Sequence, residues 1–158
     1  MTFKQLNSIF ILLLIIMTSP LLQAKEKSVY ASKRTNIAIK GYDPVAYFTE
    51  SKAVKGSKDI AYKWHGTKWL FSSKEHQSLF INDPEKYAPQ YGGWCAYAMS
   101  DGRTVAINPK AFEIFNGKLY LNYSKSVLGH WQKEKDLFIK QADELYPDVV
   151  DISQLEKL

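Results

Sequence analysis

The middle of the chain carries short β-prone apolar runs separated by turn residues. Residues 37–48 contain two such runs around a glycine and an Asp-Pro pair, which predicts strand, turn and strand. Residues 60–71 form a second pair of runs across Gly66-Thr67. Residues 112–121 form a third pair across Asn116-Gly117, the strongest short hairpin signal in the chain. We therefore expect two well-defined hairpins.

After the first hairpin the apolar period changes from that of a strand to that of a helix. Ser72 and Glu75 have the spacing of a capping box, in which the serine oxygen accepts one free amide hydrogen and the glutamate covers another. A helix is therefore expected over residues 73–81. Asp83 followed by Pro84 predicts a second helix start, with the aspartate as cap and the proline in the first helical position.

The second half of the chain combines one more strand with a long helix. Residues 104–107 are expected to form a strand, and the apolar segment 94–99 fits either a helix or a strand. From Ser124 to Pro147 apolar residues fall on one helical stripe, which predicts a single amphipathic helix of about twenty residues. The whole pattern indicates an α+β domain, in which a mid-chain helical segment and the C-terminal helix pack on a small antiparallel sheet of two hairpins.

The first residues indicate export. Lys4 precedes an unbroken apolar run at residues 9–17 and a cleavage-type sequence, so residues 1–24 are expected to be a signal peptide. The run is shorter than the roughly 18 to 20 residues that span a bilayer, so no membrane span is expected after cleavage. Retention as an uncleaved anchor is the open alternative. We expect a periplasmic or secreted protein with a flexible lead-in at 25–36, one domain at 37–147 and a tail at 148–158.

Charge and cysteine content narrow the classes of function. The chain carries 21 Lys and Arg residues against 16 Asp and Glu residues, a net charge of +5, and its lysines alternate with acidic residues. A modest, spread-out excess in an exported protein argues against nucleic-acid binding. The single cysteine, Cys95, has no internal disulfide partner. Burial, metal binding, catalysis and pairing with another molecule are its alternatives.

Five distinctive motifs together cover nearly the whole mature chain. The most specific of them is Tyr-Gly-Gly-Trp-Cys-Ala-Tyr around Cys95. The others are Gly-Tyr-Asp-Pro-Val-Ala-Tyr-Phe at residues 41–48, Trp-Leu-Phe-Ser-Ser at 69–73, Asp-Pro-Glu-Lys-Tyr at 83–87 and Gly-Lys-Leu-Tyr-Leu-Asn-Tyr at 117–123. The chain thus looks like a stand-alone, exported YHS-domain protein.

The resemblance implies a link to metal. YHS domains fused to copper-transporting ATPases are thought to bind metal, and the family is similar to small heavy-metal-sensing domains that use spaced cysteines. In the metal-type pattern, cysteines occupy three positions where this chain has Ala46, Ser72 and His76. One imidazole therefore stands in place of three thiols, and the resemblance supports the fold more strongly than the metal.

The residues themselves offer a candidate ligand set for a transition metal. Cys95 as a thiolate, His76 as a neutral imidazole and Met99 as a soft thioether suit copper or zinc rather than a hard ion that prefers oxygen. Cys95 and Met99 are four residues apart, so they can share an ion only if that segment is helical. His65 and His130 are expected at a hairpin tip and beside the core stripe of the last helix. The alternative is that Cys95 and Met99 are ordinary core residues and that His76 lies on a helix surface.

Two other classes of function stay open beside the leading hypothesis of a copper-type binding or handling module. Thiol catalysis would need a base near Cys95, such as His76 oriented by Glu75 or Asp83, but the spacing pairs no nucleophile with a base, and we expect no catalytic residues. A binding module for a non-metal ligand or an unidentified protein partner, with Cys95 structural, would instead use amphipathic aromatic rings. The candidate rings are Tyr42, Tyr47, Trp64, Trp69, Tyr87, Tyr91, Trp94 and Tyr97.

Overall fold

Short strands pair two by two in the computed structural model, which describes residues 25–154. The strands are β1 (Glu26–Lys27), β2 (Ser57–Trp64), β3 (Thr67–Phe71), β4 (Asn108–Phe115), β5 (Lys118–Asn122) and β6 (Val150–Asp151). β2 and β3 form one antiparallel hairpin, β4 and β5 form another, and β1 runs parallel to β6. The predicted α+β class with two hairpins is confirmed, although each hairpin is a separate two-stranded sheet. The signal peptide predicted at residues 1–24 lies outside the described residues.

Helices connect and cover the hairpins. They are α1 (Ala46–Thr49), α2 (Lys74–Asn82), α3 (Pro84–Tyr87), α4 (Ala96–Met99), α5 (Lys125–Trp131) and α6 (Lys135–Val149), and short 3-10 turns lie at Ile39–Gly41, Gln90–Gly93 and Ile152–Gln154. The segment that fits either helix or strand by its sequence is thus helical in α4. Within residues 25–154, no helix is long and apolar enough to cross a membrane.

Left-handed turns join the strands of each hairpin. Asn116 and Gly117 have φ values of 49° and 73°, as a two-residue hairpin turn requires, so this predicted turn is confirmed. In the first hairpin the left-handed pair is His65 and Gly66, with φ values of 45° and 68°, one residue earlier than predicted. Thr67 is therefore already the first residue of β3.

Helix α2 begins one residue later than the predicted capping box. The Ser73 hydroxyl, rather than that of Ser72, accepts the backbone N–H of His76 at 3.1 Å. The Ser72 hydroxyl instead donates to Asp43. The second predicted helix start is confirmed, because the Asp83 carboxylate accepts a backbone N–H at the start of α3.

Two segments predicted as strands fold differently. Residues 37–48 form a 3-10 turn and α1, because the Asp43 carboxylate accepts the N–H groups of Val45 and Ala46 at 2.9 and 3.4 Å, as a helix cap does. Residues 104–107 form no strand. A backbone carbonyl in this segment accepts the N–H of Cys95 at 3.0 Å, so the segment is bonded to the start of α4 instead.

The predicted single C-terminal helix is divided into α5 and α6. Trp131 ends α5 and is fully buried against Tyr120, with ring centroids 5.0 Å apart. Just after it, Gln132 and Lys135 both donate to the Glu113 carboxylate on β4. These contacts hold the break between the helices against the second hairpin. Helix α6 then continues past the proline that was expected to end it.

The two ends of the described chain pack on the domain rather than lying free as lead-in and tail. β1 and β6 pair with each other, and Val29 and Val150 are buried. Tyr146 of α6 donates its hydroxyl to the Ser28 carbonyl at 2.9 Å. Gly92 is required at this contact, because an added Cβ would lie 1.8 Å from the Ser28 oxygen. Both ends therefore help to form one wall of the cavity described below.

Candidate functional site

Cys95 lies at the start of α4 and is only 1% exposed. Its sulfur accepts the backbone N–H of Tyr123 at 3.3 Å, and its thiol donates to Asn122 Oδ1 at 3.7 Å. Asn122 is itself completely buried, and the same oxygen accepts the N–H of Tyr97 at 3.2 Å. The thiol is therefore bonded within the protein and sealed from solvent.

Met99 lies one helical turn after Cys95, the spacing that a shared ion would need. It is completely buried, however, in the cluster that contains Trp131 and Ala142, whereas Cys95 belongs to the larger cluster around Trp69. The two sulfur side chains therefore pack into different parts of the core.

His76 projects from α2 toward a buried carboxylate. Its Nδ1 lies 2.7 Å from Asp43 Oδ2, and its side chain is 12% exposed. Since a carboxylate only accepts hydrogen bonds, this contact assigns the ring hydrogen to Nδ1 in the neutral imidazole. Nε2 then presents its lone pair next to the hydroxyl of Thr49, at 3.2 Å. A carboxylate behind an imidazole in this way is common to metal-binding and proton-accepting histidines.

Asp43 organises this region, although its sequence pattern predicts only a turn. It is completely buried, and its second carboxylate oxygen accepts the N–H and the hydroxyl of Ser72 at 2.8 and 2.6 Å in addition to the His76 ring. Its first oxygen caps α1. A buried carboxylate costs several kcal/mol unless such bonds satisfy it. The only sequence signal for this role is the Asp-Pro pair followed by an apolar helix.

The predicted metal ligands thus have separate partners. Among residues 25–154, no group of three or more histidine, cysteine and acidic side chains is arranged to hold a metal ion. His65 packs against the ring of the preceding Trp64, and His130 is exposed on α5. His76 is oriented by Asp43, not by Glu75 or Asp83. The ligand set of Cys95, His76 and Met99 stays a prediction.

An open cavity of about 380 Å³ lies between the tip of the first hairpin, the segment after α3 and the end of α6. Two tryptophans and two tyrosines are among its lining residues. Trp64 and Trp69 lie with ring centroids 5.8 Å apart, and Tyr91 and Tyr146 lie 5.7 Å apart. The lining residues are Val29, Trp64, His65, Trp69, Glu85, Ala88, Pro89, Gln90, Tyr91, Gly92, Lys118 and Tyr146.

The two tyrosines of this cavity use their hydroxyls within the protein. Tyr91 donates to Asp143 at 2.9 Å, and Tyr146 donates to the Ser28 carbonyl. Burial raises the pKa of both phenols above the usual value of 10, and the nearby Asp143 carboxylate raises that of Tyr91 further. The phenols therefore stay neutral and fixed, and they present their rings rather than their hydroxyls to the cavity.

Two opposite charges complete the lining. Glu85 of α3 and Lys118 of β5 are both exposed. Within the described part of the chain, neither takes part in an ion pair or a side-chain hydrogen bond. The cavity thus places the partly exposed rings of Trp64 and Tyr146 beside one available carboxylate and one available ammonium.

The sequence identifies part of this cavity. Trp64, Trp69 and Tyr91 belong to the aromatic set expected for a binding module, and the fold gathers these three in one place. Glu85 and Lys118 are missed, because an exposed charge 33 positions away from another gives no local pattern. The bridge between Pro89 and Leu119 brings their segments together, and no sequence signal announces it.

Neither protein-family models, nor curated proteins, nor solved structures gave a match to this chain. Its function must be inferred from its own residues.

Proposed function

We propose that this chain is an exported YHS-type domain that binds a small organic molecule in the aromatic cavity. The ligand has a flat apolar body and carries both an ammonium and a carboxylate group, as an aromatic amino acid does. The observation that carries the proposal is that the half-buried rings of Trp64 and Tyr146 share one cavity of about 380 Å³ with the charges of Glu85 and Lys118, which have no side-chain partner among the described residues.

Size and wall chemistry support a small ligand rather than a macromolecule. Ligand cavities commonly measure about 300 to 1,000 Å³ and combine apolar walls with a few polar groups that orient the ligand. Tryptophan and tyrosine rings stack on flat apolar groups, and such contacts contribute about 0.5 to 1.5 kcal/mol beyond the area that they bury. The walls are also held in place, since Trp69 donates its ring N–H to the Trp64 carbonyl at 3.2 Å.

The two charges orient the charged end of the ligand. A ligand ammonium would pair with Glu85, and a ligand carboxylate would pair with Lys118. Exposed ion pairs contribute little singly, about 0.2 to 1 kcal/mol, so the apolar body supplies most of the affinity and the charges supply selectivity.

Calorimetric titration with L-phenylalanine tests the proposal. Its controls are phenethylamine, which lacks the carboxylate, and 3-phenylpropanoate, which lacks the ammonium. We expect L-phenylalanine to bind most tightly and each single-charge compound to bind about two- to fivefold more weakly. Lys118→Ala should abolish the preference for L-phenylalanine over phenethylamine, and Glu85→Gln the preference over 3-phenylpropanoate.

The matched control variants are Lys140→Ala and Glu144→Gln, exposed residues of α6 outside the cavity. They should leave all three affinities unchanged. Equal binding of all three compounds by the wild type, or the same loss in the control variants, would overturn the proposal.

A metal site centred on His76 is the second candidate function, and the Asp43 contact favours it. A carboxylate bonded to Nδ1 fixes the imidazole and leaves Nε2 as the ligand atom, the arrangement found at most histidine metal sites. Cys95 would join such a site only after its bonds to Asn122 and Tyr123 are broken. Copper or zinc would be the ion.

Metal content and Cu(I) affinity of the mature, untagged protein test this candidate. Stoichiometric binding that disappears in His76→Ala and in Cys95→Ser would establish a shared site. Loss in His76→Ala alone would place the metal at Nε2 without the thiol. Wild-type protein that binds no more metal than the double variant would exclude the candidate.

A further inference from the structure

A second cavity, of about 390 Å³, shares no lining residue with the aromatic cavity and differs from it in charge. Its lining includes the ammonium-bearing side chains of Lys40, Lys55 and Lys58 and the hydroxyl residues Ser32 and Thr35. No acidic residue among those that the structure describes lines it. All five polar side chains can donate hydrogen bonds, and three of them are positively charged. The cavity therefore suits an anionic ligand that accepts hydrogen bonds.

One of the lysines is held in position. Lys55 donates its ammonium to the Lys40 carbonyl at 2.7 Å, and the same group lies over the Tyr42 ring, 4.4 Å from its centroid. The neighbouring backbone is fixed as well, since the N–H of Gly56 donates to the Gly41 carbonyl at 3.0 Å. An ammonium that is already positioned loses less freedom when a ligand arrives.

The net positive charge of the chain arises in the segment that supplies the lining lysines of this cavity, whereas the sequence pattern suggests an even spread. Residues 32–68 contain eight Lys and Arg residues and three acidic residues, an excess of five that equals the net charge of the entire chain. One of the three acids is the buried Asp43, and the described residues show no ion pair between the other two, Glu50 and Asp59, and a lysine. Like charges around one cavity repel each other, and a bound anion relieves that repulsion.

The basic surface continues beyond this cavity. An adjoining cavity of about 480 Å³ shares Thr35 with it, adds Lys63 and Lys68, and again has no acidic lining residue in the described part of the chain. A ligand with more than one anionic group can therefore contact both cavities at once.

We infer that this surface, the basic cavity with its neighbour, binds a phosphate-bearing ligand. The ammonium groups supply charge, and the Ser32 and Thr35 hydroxyls supply directed hydrogen bonds to the phosphate oxygens. The phosphate is carried either by a small soluble molecule or by a phospholipid headgroup. This site is separate from the aromatic cavity, so either can fail without the other.

Two binding measurements on the mature protein distinguish the sources. Inorganic pyrophosphate, titrated by calorimetry, stands for the soluble ligand. Vesicles of phosphatidylglycerol in phosphatidylcholine, compared with phosphatidylcholine alone in a sedimentation assay, stand for the lipid. The variant is Lys40→Gln with Lys58→Gln, which leaves the structurally bonded Lys55 in place. Its matched control is Lys133→Gln with Lys140→Gln, which removes the same charge from the region of α6.

We expect binding of pyrophosphate or of the anionic vesicles to weaken about tenfold in the double variant, to weaken further with added salt and to be unchanged in the control. Pyrophosphate binding would assign a soluble ligand, and binding to anionic vesicles alone a lipid headgroup. The inference would be overturned if the wild type bound neither pyrophosphate nor anionic vesicles. It would also be overturned if binding weakened equally in the double variant and in its control. The melting temperature of each variant is measured as a control. A variant with the melting temperature of the wild type has lost charge but has kept its fold.

Discussion

Cys95 and the aromatic cavity represent opposite kinds of environment in one small domain. The thiol is 1% exposed, and its sulfur makes hydrogen bonds with Asn122 and with the backbone N–H of Tyr123. The cavity is open and offers two charges without a partner among the described residues. Cys95, the residue with the greatest intrinsic reactivity, is thus sealed in the core, while the accessible site is formed by the partly exposed Trp64 and Tyr146 with the exposed Glu85 and Lys118.

The difference teaches that residue chemistry and access have to be considered together. A thiol becomes a ligand or nucleophile only as an accessible thiolate, whereas a buried thiol behaves as a small apolar group. The Asp43–His76 pair is intermediate, since a buried carboxylate holds an imidazole whose other nitrogen lies near the surface. Substitutions in these regions should therefore separate stability from ligand binding.

The largest expected effect is on stability, at Asp43. Asp43→Ala would leave the donors of Ser72, Val45 and Ala46 without their buried acceptor, which costs about 4 kcal/mol of unfolding free energy. Urea denaturation measures this loss. Asp101→Ala, which removes an exposed ion-paired aspartate, is the matched control and should cost less than about 1 kcal/mol. Similar losses in the two variants would contradict the role given to Asp43.

A smaller loss of unfolding free energy is expected at Asn122, which accepts the hydrogen bond of the Cys95 thiol. Asn122→Ala removes the acceptor of the Tyr97 N–H and of the Cys95 thiol, but it also removes the Asn122 amide nitrogen, which is buried without a partner. The net cost should be about 2 kcal/mol in the same urea assay. The folded variant should bind L-phenylalanine as the wild type does, and Asn82→Ala, an exposed control, should change neither property. If folded Asn122→Ala protein failed to bind L-phenylalanine, the environment of Cys95 and the aromatic cavity would be coupled, and the contrast drawn between them would be wrong.

Alkaline pH should lower the free energy of unfolding through Tyr146, a tyrosine that lines the aromatic cavity. Burial raises the pKa of Tyr146 in the folded state above its unfolded value of about 10, so the neutral phenol is the form that the fold stabilises. Its contribution is therefore complete below pH 10 and is lost as the pH rises above that value. Each such tyrosine should lower the unfolding free energy by about 1.4 kcal/mol per pH unit there. Melting temperatures measured from neutral to alkaline pH should fall less steeply for Tyr146→Phe than for the wild type, and parallel curves would contradict this.

Local sequence signals account for much of the fold. Asn116-Gly117 specifies its turn by itself, because both positions need left-handed backbone, and Asp83-Pro84 starts its helix in the same way. The cap of α2 is misplaced by one residue because Ser72 and Ser73 are equivalent by type. The choice between them depends on Asp43, which lies 29 positions before Ser72 and takes up its hydroxyl.

The candidate site is harder to predict from local sequence signals than the fold is. Three cavity aromatics are identifiable by type, but Glu85 and Lys118 become a pair only through contacts between distant segments. The basic cavity is missed for a related reason, since net charge averaged over the chain hides an excess confined to residues 32–68. Cys95 attracts functional hypotheses because it is unique, whereas burial depends on packing that the sequence does not state.

Titration of L-phenylalanine into the wild type, Cys95→Ser and Lys118→Ala tests the central claim most directly. The account predicts that Cys95→Ser binds as the wild type does, because serine keeps a small hydrogen-bonding group in a sealed position. It predicts that Lys118→Ala binds about two- to fivefold more weakly without loss of stability. Binding that depends on Cys95 and is indifferent to Lys118 would contradict it.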